Sequence, residues 1–259
     1  MMGSSLSNSK LGRLLECRRC FWLENFCLTC NGPSTPYSCA RARPPHNVWK
    51  RPSGPFPGIP NGIDDKLRIH YNNFRKINKL PPELSDRPEC ADLKLFPDES
   101  KVKEWGNPFN YNIGLRHKDT SLDSVLKGGL DELLITGEGK LVVLDFKTMR
   151  SKPKDIDKDP EKARNKLYDK DIEYGYQRQL SIYTFLFQKL PKETEDYGLL
   201  LHYYPDNVKT NGDFEFGTEL VKMPVNIDDA YNIWKDGATL LKSSCPPDNG
   251  DCNWCRGRP

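Results

Sequence analysis

The clearest alternation of apolar and polar positions lies in residues 128–148, GGLDELLITGEGKLVVLDFKT. Two apolar runs flank Thr136-Gly137-Glu138-Gly139-Lys140, and their length, β-branched content and Gly-bearing turn predict a β-hairpin. Upstream, Leu11, Leu14, Leu15 and Trp22 recur near helical spacing and predict a helix over 5–24, with Ser7 or Ser9 able to cap it. A second helix is predicted over 63–77, with Asp64 and Asp65 in its first turn and Pro81-Pro82 as its stop. Residues 83–120 are polar and carry no assignable pattern, and 151–171 read as a charged linker or short helix. The segment YGYQRQLSIYTFLFQKL predicts a helix over 174–190, halted by Pro191. Strands follow at 197–204 and 213–223, then a helix near 227–242. This order predicts an α/β fold, a mixed sheet flanked by helices.

The 259 residues are read as one domain spanning 1–259, with a Pro/Gly-rich irregular insertion at 27–62 and a Cys-bearing tail at 245–259. The insertion carries Arg41, Arg43, Lys50 and Arg51 beside Trp49. A nucleic-acid strand can use such a mixture, and so can a solvated loop. With 39 basic and 36 acidic residues, net charge +3 does not by itself point to nucleic acid. No apolar run approaches the roughly 18 residues of a membrane span, and no signal-peptide core is seen, so a soluble cytoplasmic protein without a membrane partner is expected. Nine cysteines without an export signal favour metal ligation over disulfides.

Side chains alternate faces along a strand, so Asp131, Leu133 and Ile135 share one face of the first hairpin strand. Leu141, Val143, Asp145 and Lys147 share one face of the second. A turn centred on Glu138 sets Ile135 against Leu141, Leu133 against Val143, and Asp131 against Asp145. Opposed Cβ atoms lie roughly 4.5–5.5 Å apart, and two carboxylates at that distance need compensation. A divalent cation such as Mg²⁺ supplies it and accepts phosphate oxygens as further ligands. Lys147, on the same face, can contact the attacking water or the scissile phosphate, a set suited to phosphodiester hydrolysis. The bland alternative is a pair of strand-end carboxylates balanced by Lys147 or a nearby Arg.

Gly129-Leu-Asp131, then Leu144-Asp145-Phe-Lys147-Thr148, then Gln179-Leu-Ser-Ile-Tyr183 resembles the PD-(D/E)XK nuclease superfamily, in particular its RecB-like branch with the CRISPR-associated RecB-like exonucleases. The resemblance covers roughly residues 7–22 and 128–255. It implies a restriction-endonuclease-like core and Mg²⁺ or Mn²⁺ held by Asp131, Asp145 and the Phe146 carbonyl. By the same resemblance Lys147 is the catalytic lysine, and Gln179 and Tyr183 organise the site from one helix face. The substrate implied is DNA, single-stranded or with free ends. The partners implied are helicase or other repair or CRISPR-adaptation proteins. The branch often carries an upstream His or Glu a few residues after a Gly; the candidate here is His70, eight residues after Gly62.

In a C-x-x-C knuckle both thiolates can grip one metal centre, and the two pairs Cys17-x-x-Cys20 and Cys252-x-x-Cys255 are expected to make a four-sulfur site. The RecB-like resemblance implies a [4Fe–4S] cluster joining the chain's two ends. Its ligands are then Cys17, Cys20, Cys252 and Cys255, or one N-terminal cysteine with Cys245, Cys252 and Cys255. A local set of Cys17, Cys20, Cys27 and Cys30 reads more like zinc, and spacing does not separate zinc from iron–sulfur. Cys39 and Cys90 have no assigned role. Three functional readings follow: a DNA nuclease, a catalytically silent DNA-binding or scaffold subunit of the same fold, and a zinc-ribbon interaction module with an incidental D-x-K.

Overall fold

A computed structural model describes residues 3–27, 32–33, 49–51, 58–107, 114–247 and 252–256. Its first elements are β1 (Ser4–Ser7), α1 (Asn8–Glu16), α2 (Arg18–Asn25), β2 (Phe26–Cys27), β3 (Gly32–Pro33), α3 (Gly58–Lys76) and α4 (Pro82–Ser85). A 3-10 turn at Pro88–Cys90 leads to β4 (Leu93–Leu95), α5 (Glu99–Trp105), β5 (Leu115–Asp119), β6 (Ser124–Gly128), β7 (Glu132–Thr136) and β8 (Leu141–Thr148). The last are α6 (Pro160–Glu173), α7 (Tyr176–Lys189), β9 (Tyr197–Val208), β10 (Phe214–Pro224) and α8 (Ile227–Leu240). The fold is mixed α/β, as the pattern predicts. The chain divides into two compact units: Met1–Phe56 with Arg116–Gly128 and Asp228–Pro259, and Pro57–Leu115 with Gly129–Ile227.

In the second unit a five-stranded mixed sheet runs in the order β10-β9-β8-β7-β4. The β7–β8 hairpin pairs Ile135 with Leu141 and Leu133 with Val143, the register that the hydrophobic pattern implies. β8 runs parallel to β9 and aligns Asp145 with Leu200 and Lys147 with His202. Val142, Leu144 and Phe146 point into a core with Tyr71, Leu134, Leu199, Leu201 and Tyr203. Period two therefore sends Val143, Asp145 and Lys147 to the opposite face. There α7 packs closely: a Cβ on Gly198 of β9 would lie 2.9 Å from Leu180 Cδ2. Beneath the hairpin the fully buried Glu132 is paired to Arg75 of α3, which also donates Nε–H to Phe96 O at 2.7 Å.

In the first unit β1 pairs in parallel with β6, and β5 completes a three-stranded sheet. Leu6, Leu11, Leu14, Phe21 and Trp234 are buried here. A Cβ on Gly237 of α8 would meet Leu11, Leu6 and Phe21 side chains at 3.1–3.2 Å. Trp234 Nε1–H donates to Ser124 Oγ at 2.9 Å, and Ser4 Oγ–H donates to the same hydroxyl at 2.7 Å.

Three expectations change, and the charged stretch takes the helical one of its two readings. The predicted helix over 5–24 is a strand and two helices, because β6 recruits Ser4–Ser7 and Cys17 takes an extended conformation (φ −162°) between α1 and α2. Ser7 occupies the cap position of α1 without a side-chain cap bond. The helix expected over 63–77 begins at Gly58, inside the stretch read as irregular, and the rest of that stretch falls largely outside the described residues. It ends on left-handed Asn78 (φ 53°), with Lys79 N–H bonded to Phe74 O and Asn78 N–H to Arg75 O. Pro81-Pro82 therefore does not stop this helix; Pro82 opens the next, where its missing N–H costs nothing. The charged stretch after the hairpin resolves into α6, whose N-cap Asp159 accepts from Lys162 N–H at 3.1 Å.

Candidate active site and cysteine centre

Asp131 sits one residue before β7, so it meets Asp145 just beyond the last pair of the hairpin ladder, Glu132–Leu144. Asp131 Oδ2 accepts the Phe146 N–H at 3.1 Å, and Oδ1 accepts from Arg68 of α3 at 2.9 Å. Arg68 also donates to the carbonyls of Leu130 and Asp131 at 3.2 and 3.3 Å, which fixes the entry to the strand. A strand residue's N–H and C=O point to the same edge. The Phe146 carbonyl therefore opens towards the Asp131 side.

Asp145 is fully buried. Its Oδ1 accepts from Gln179 Nε2 at 3.0 Å, and its Oδ2 faces Lys147 Nζ as an ion pair, with no hydrogen bond of its own. Gln179 links the set: its Nε2 also reaches Tyr183 Oη at 2.9 Å, and its Oε1 accepts from Lys147 Nζ at 3.2 Å. The Lys147 ammonium lies over the Tyr176 ring, 4.4 Å from the centroid.

The electrostatics follow from burial and mutual charge. Burial, then the Asp145 charge, push the Asp131 carboxyl well above its ordinary range, and Arg68 and Lys147 offset this only in part. Burial alone would lower Lys147, but Asp145 and Asp131 outweigh it and hold the ammonium above its usual value. A lysine so held is cationic, which suits charge stabilisation. Burial and the Asp145 charge raise Tyr183, so its hydroxyl stays protonated.

Sequence reasoning missed two residues. Arg68 is one. Asp64, one helical turn before it on α3, is the other. Burial raises its carboxyl; Arg68 opposes that and the Asp145 charge adds to it. The available signal was Gly62, since Asp64 follows it by two residues. His70 points elsewhere. Its Nε2 lies 3.2 Å from Glu83, its ring packs on Tyr71 and Phe74, and it does not join the carboxylates.

The donor set fits a hard divalent cation. It consists of two adjacent carboxylates that repel each other, one fully buried oxygen without a hydrogen bond, and a backbone carbonyl. Mg²⁺ takes one or two carboxylates and keeps several waters, so a closed protein cage is not required.

The second centre lies in the first unit. The Sγ atoms of Cys17, Cys20, Cys252 and Cys255 all lie within 4.8 Å of one another, with Cys17–Cys255 at 3.7 Å and Cys20–Cys252 at 3.5 Å. The extended Cys17 turns its sulfur onto Cys20 N–H at the start of α2. Although partial burial works against it, backbone N–H groups of Trp254 and Cys255 bring Cys252 down to about 6. Arg51 does not belong to a solvated basic loop. It pairs with Glu16 and Glu24, lies over Trp254, and reaches Cys252 Sγ at 3.9 Å. Cys245 is outside the group, with its Sγ 3.6 Å from Pro246 O. Cys27 and Cys90 are buried and also outside it; Cys30, Cys39, Arg41 and Arg43 lie outside the described residues.

Paired acidic groups and a lysine at one end of a hairpin, organised by one helix, have the chemistry that metal-assisted phosphodiester hydrolysis requires. The family model of the PD-(D/E)XK nuclease superfamily matches residues 84–259, about two thirds of the chain, and the protein belongs to that superfamily. The solved structure of SSO0001 is similar at 14% identity and a TM-score of 0.35, covering 97% of this chain and 82% of that one. None of the curated proteins matches.

Proposed function

We propose that the protein is a divalent-metal-dependent deoxyribonuclease acting on single-stranded or end-containing DNA. The observation that carries this reading is the hydrogen-bonded chain Tyr183–Gln179–Asp145 with Lys147 and Asp131 at the end of one hairpin. Asp131, Asp145 and the Phe146 carbonyl would hold Mg²⁺ or Mn²⁺, which supplies an activated water and charge neutralisation when bound. Lys147 stabilises charge on the phosphate as a permanent cation. Gln179 orients both Lys147 and Asp145, Tyr183 anchors Gln179, and Arg68 holds Asp131. Asp64 adds a third acidic group on the same side.

The cysteine centre supports a single tetrahedral ion, with zinc as the candidate. Metal–sulfur bonds of roughly 2.3 Å give a sulfur–sulfur edge of about 3.8 Å, close to the 3.7 and 3.5 Å of the Cys17–Cys255 and Cys20–Cys252 pairs, with every pair within 4.8 Å. A four-iron cluster sets irons and sulfides between its thiolates and needs a wider spacing. Metal analysis separates them: zinc with no visible absorbance is expected, and iron with sulfide would refute it.

Nuclease activity is tested on labelled single- and double-stranded DNA with Mg²⁺ or Mn²⁺, beside Lys147→Ala. Cutting by the wild type alone is expected. Equal cutting by the variant would remove Lys147 from the chemistry, and no cutting by either would leave a silent DNA-binding subunit.

A further inference from the structure

Behind the acidic pair lies a polar couple with no role in the reading above. His202 of β9 and Asp171 of α6 are 2% and 1% exposed, and His202 Nε2 lies 2.9 Å from Asp171 Oδ2. His202 Nδ1 is buried and has no hydrogen-bond partner. A buried ring nitrogen without a partner is costly. A neutral ring that donates its Nε2–H to Asp171 Oδ2 keeps its lone pair on Nδ1.

The position of this nitrogen is informative. His202 is the lateral partner of Lys147 in the parallel β8–β9 ladder, on the same face and one strand spacing, about 4.8 Å, away. On its other side the lateral partner is Glu219, which is already taken by Arg164 at 2.8 Å and Arg87 at 3.8 Å. Lys147 meanwhile sits on Asp145 Oδ2, the oxygen without a hydrogen bond. An ammonium and a divalent cation compete for that oxygen. A displaced ammonium keeps Gln179 Oε1 and the Tyr176 ring but needs a further acceptor in a buried setting.

We propose that His202, anchored by Asp171, is a positioning residue that receives the Lys147 ammonium on Nδ1 when a divalent cation takes Asp145. This rests on the metal-site reading given above. Lys147 then has two seats: a metal-free clamp on Asp145, and a metal-loaded seat between Gln179 and His202. The clamp compensates buried Asp145 whenever no cation is bound. The second seat keeps the cation beside the phosphate site instead of losing it to solvent.

The test uses histidine-¹⁵N-labelled full-length protein titrated with Mg²⁺ alone, without DNA. The His202 Nδ1 resonance is expected to be that of an unprotonated nitrogen and to move saturably with Mg²⁺ in wild type, but not in Lys147→Met. Two substitutions separate the ring nitrogens. Gln reproduces Nε2 and its bond to Asp171, whereas Asn reproduces an acceptor at Nδ1. His202→Gln is expected to lower kcat by about 10–100-fold, the usual effect of a lost supporting partner, with KM little changed. His202→Asn is expected to restore most of kcat. The reverse order would mean that only the Asp171 anchor matters and would overturn the proposal. So would a protonated Nδ1, or one unmoved while Mg²⁺ raises the melting temperature. If Mg²⁺ does not bind at all, the metal-site reading fails and this proposal with it. Should both His202 variants misfold, the titrations of wild type and Lys147→Met decide alone.

Discussion

Asp131→Asn separates the chemistry of the site from its electrostatic cost. The Asp131 side chain is 18% exposed and faces Asp145, which is 1% exposed. Like charges about 5 Å apart repel by roughly 3 kcal/mol at an effective dielectric constant of 20. The Arg68 pair opposes this, but Arg68 is 34% exposed, so its contribution is reduced to that of a screened pair, about 1 kcal/mol. Burial of the carboxylate adds to the unfavourable side, in keeping with the raised Asp131 carboxyl. Asn keeps the shape and loses the charge. Without metal at pH 8 it should therefore stabilise the protein by about 1–2 kcal/mol, each worth roughly 2–4 °C in Tm for a domain of this size. The sign with pH follows. A carboxyl raised in the folded state contributes stability that is fully present below its unfolded value, about 3.9, and is lost as pH rises through the folded value. The advantage of Asn should thus appear towards neutral pH and vanish in acid. With Mg²⁺ the order inverts: wild type gains about 2.7 kcal/mol at a hundredfold excess over Kd, and the variant gains little and does not cut. Thermal melts in EDTA and in Mg²⁺ across pH measure all of this. A variant less stable than wild type in EDTA at pH 8, or an advantage independent of pH, would refute the reasoning.

Other expectations concern the scaffold. Arg75→Leu leaves Glu132 buried and unpaired and should cost about 3–5 kcal/mol in urea unfolding, whereas Arg75→Leu with Glu132→Leu should recover most of it. Because burial raises Glu132 above its usual range, the loss in the single variant should shrink as pH falls; a pH-independent loss would point to packing instead. Gly198→Val forces β9 against Leu180 and should destabilise by about 1–3 kcal/mol by the same measurement. Cys20→Ser should lose the metal of the first unit and lower its melting temperature, with metal content and melting followed on one sample; full metal content in the variant would remove Cys20 from the centre.

The hairpin register was legible because it depends on local information. Two apolar runs, one face each and a short Gly-bearing turn leave a single pairing that buries Val142, Leu144 and Phe146 together. The first helix was misread for the opposite reason. Ser4–Ser7 is a strand only because β6, more than a hundred residues later, offers it an edge, and no periodicity within residues 5–24 encodes that partner. At the break between α1 and α2, Cys17 sets its sulfur beside Cys255 from the far end of the chain.

The site divides along the same line. Asp131, Asp145 and Lys147 come from one hairpin, and strand parity alone puts them on a common face. Arg68 and Asp64 come from a helix sixty residues upstream whose facing side chains depend on how α3 crosses the sheet. An exposed-looking DDKLRIH offers five polar side chains, and His70 stood out among them by chemistry although it faces Glu83. His202 was hidden within an apolar strand, YGLLLHYY, where a histidine reads as core. Only the β8–β9 ladder reveals that its neighbour is Lys147. The D-x-K motif names the groups proposed to do chemistry. The groups that compensate those charges when no metal is bound must come from whatever elements happen to pack there, and so they escape a motif-based reading.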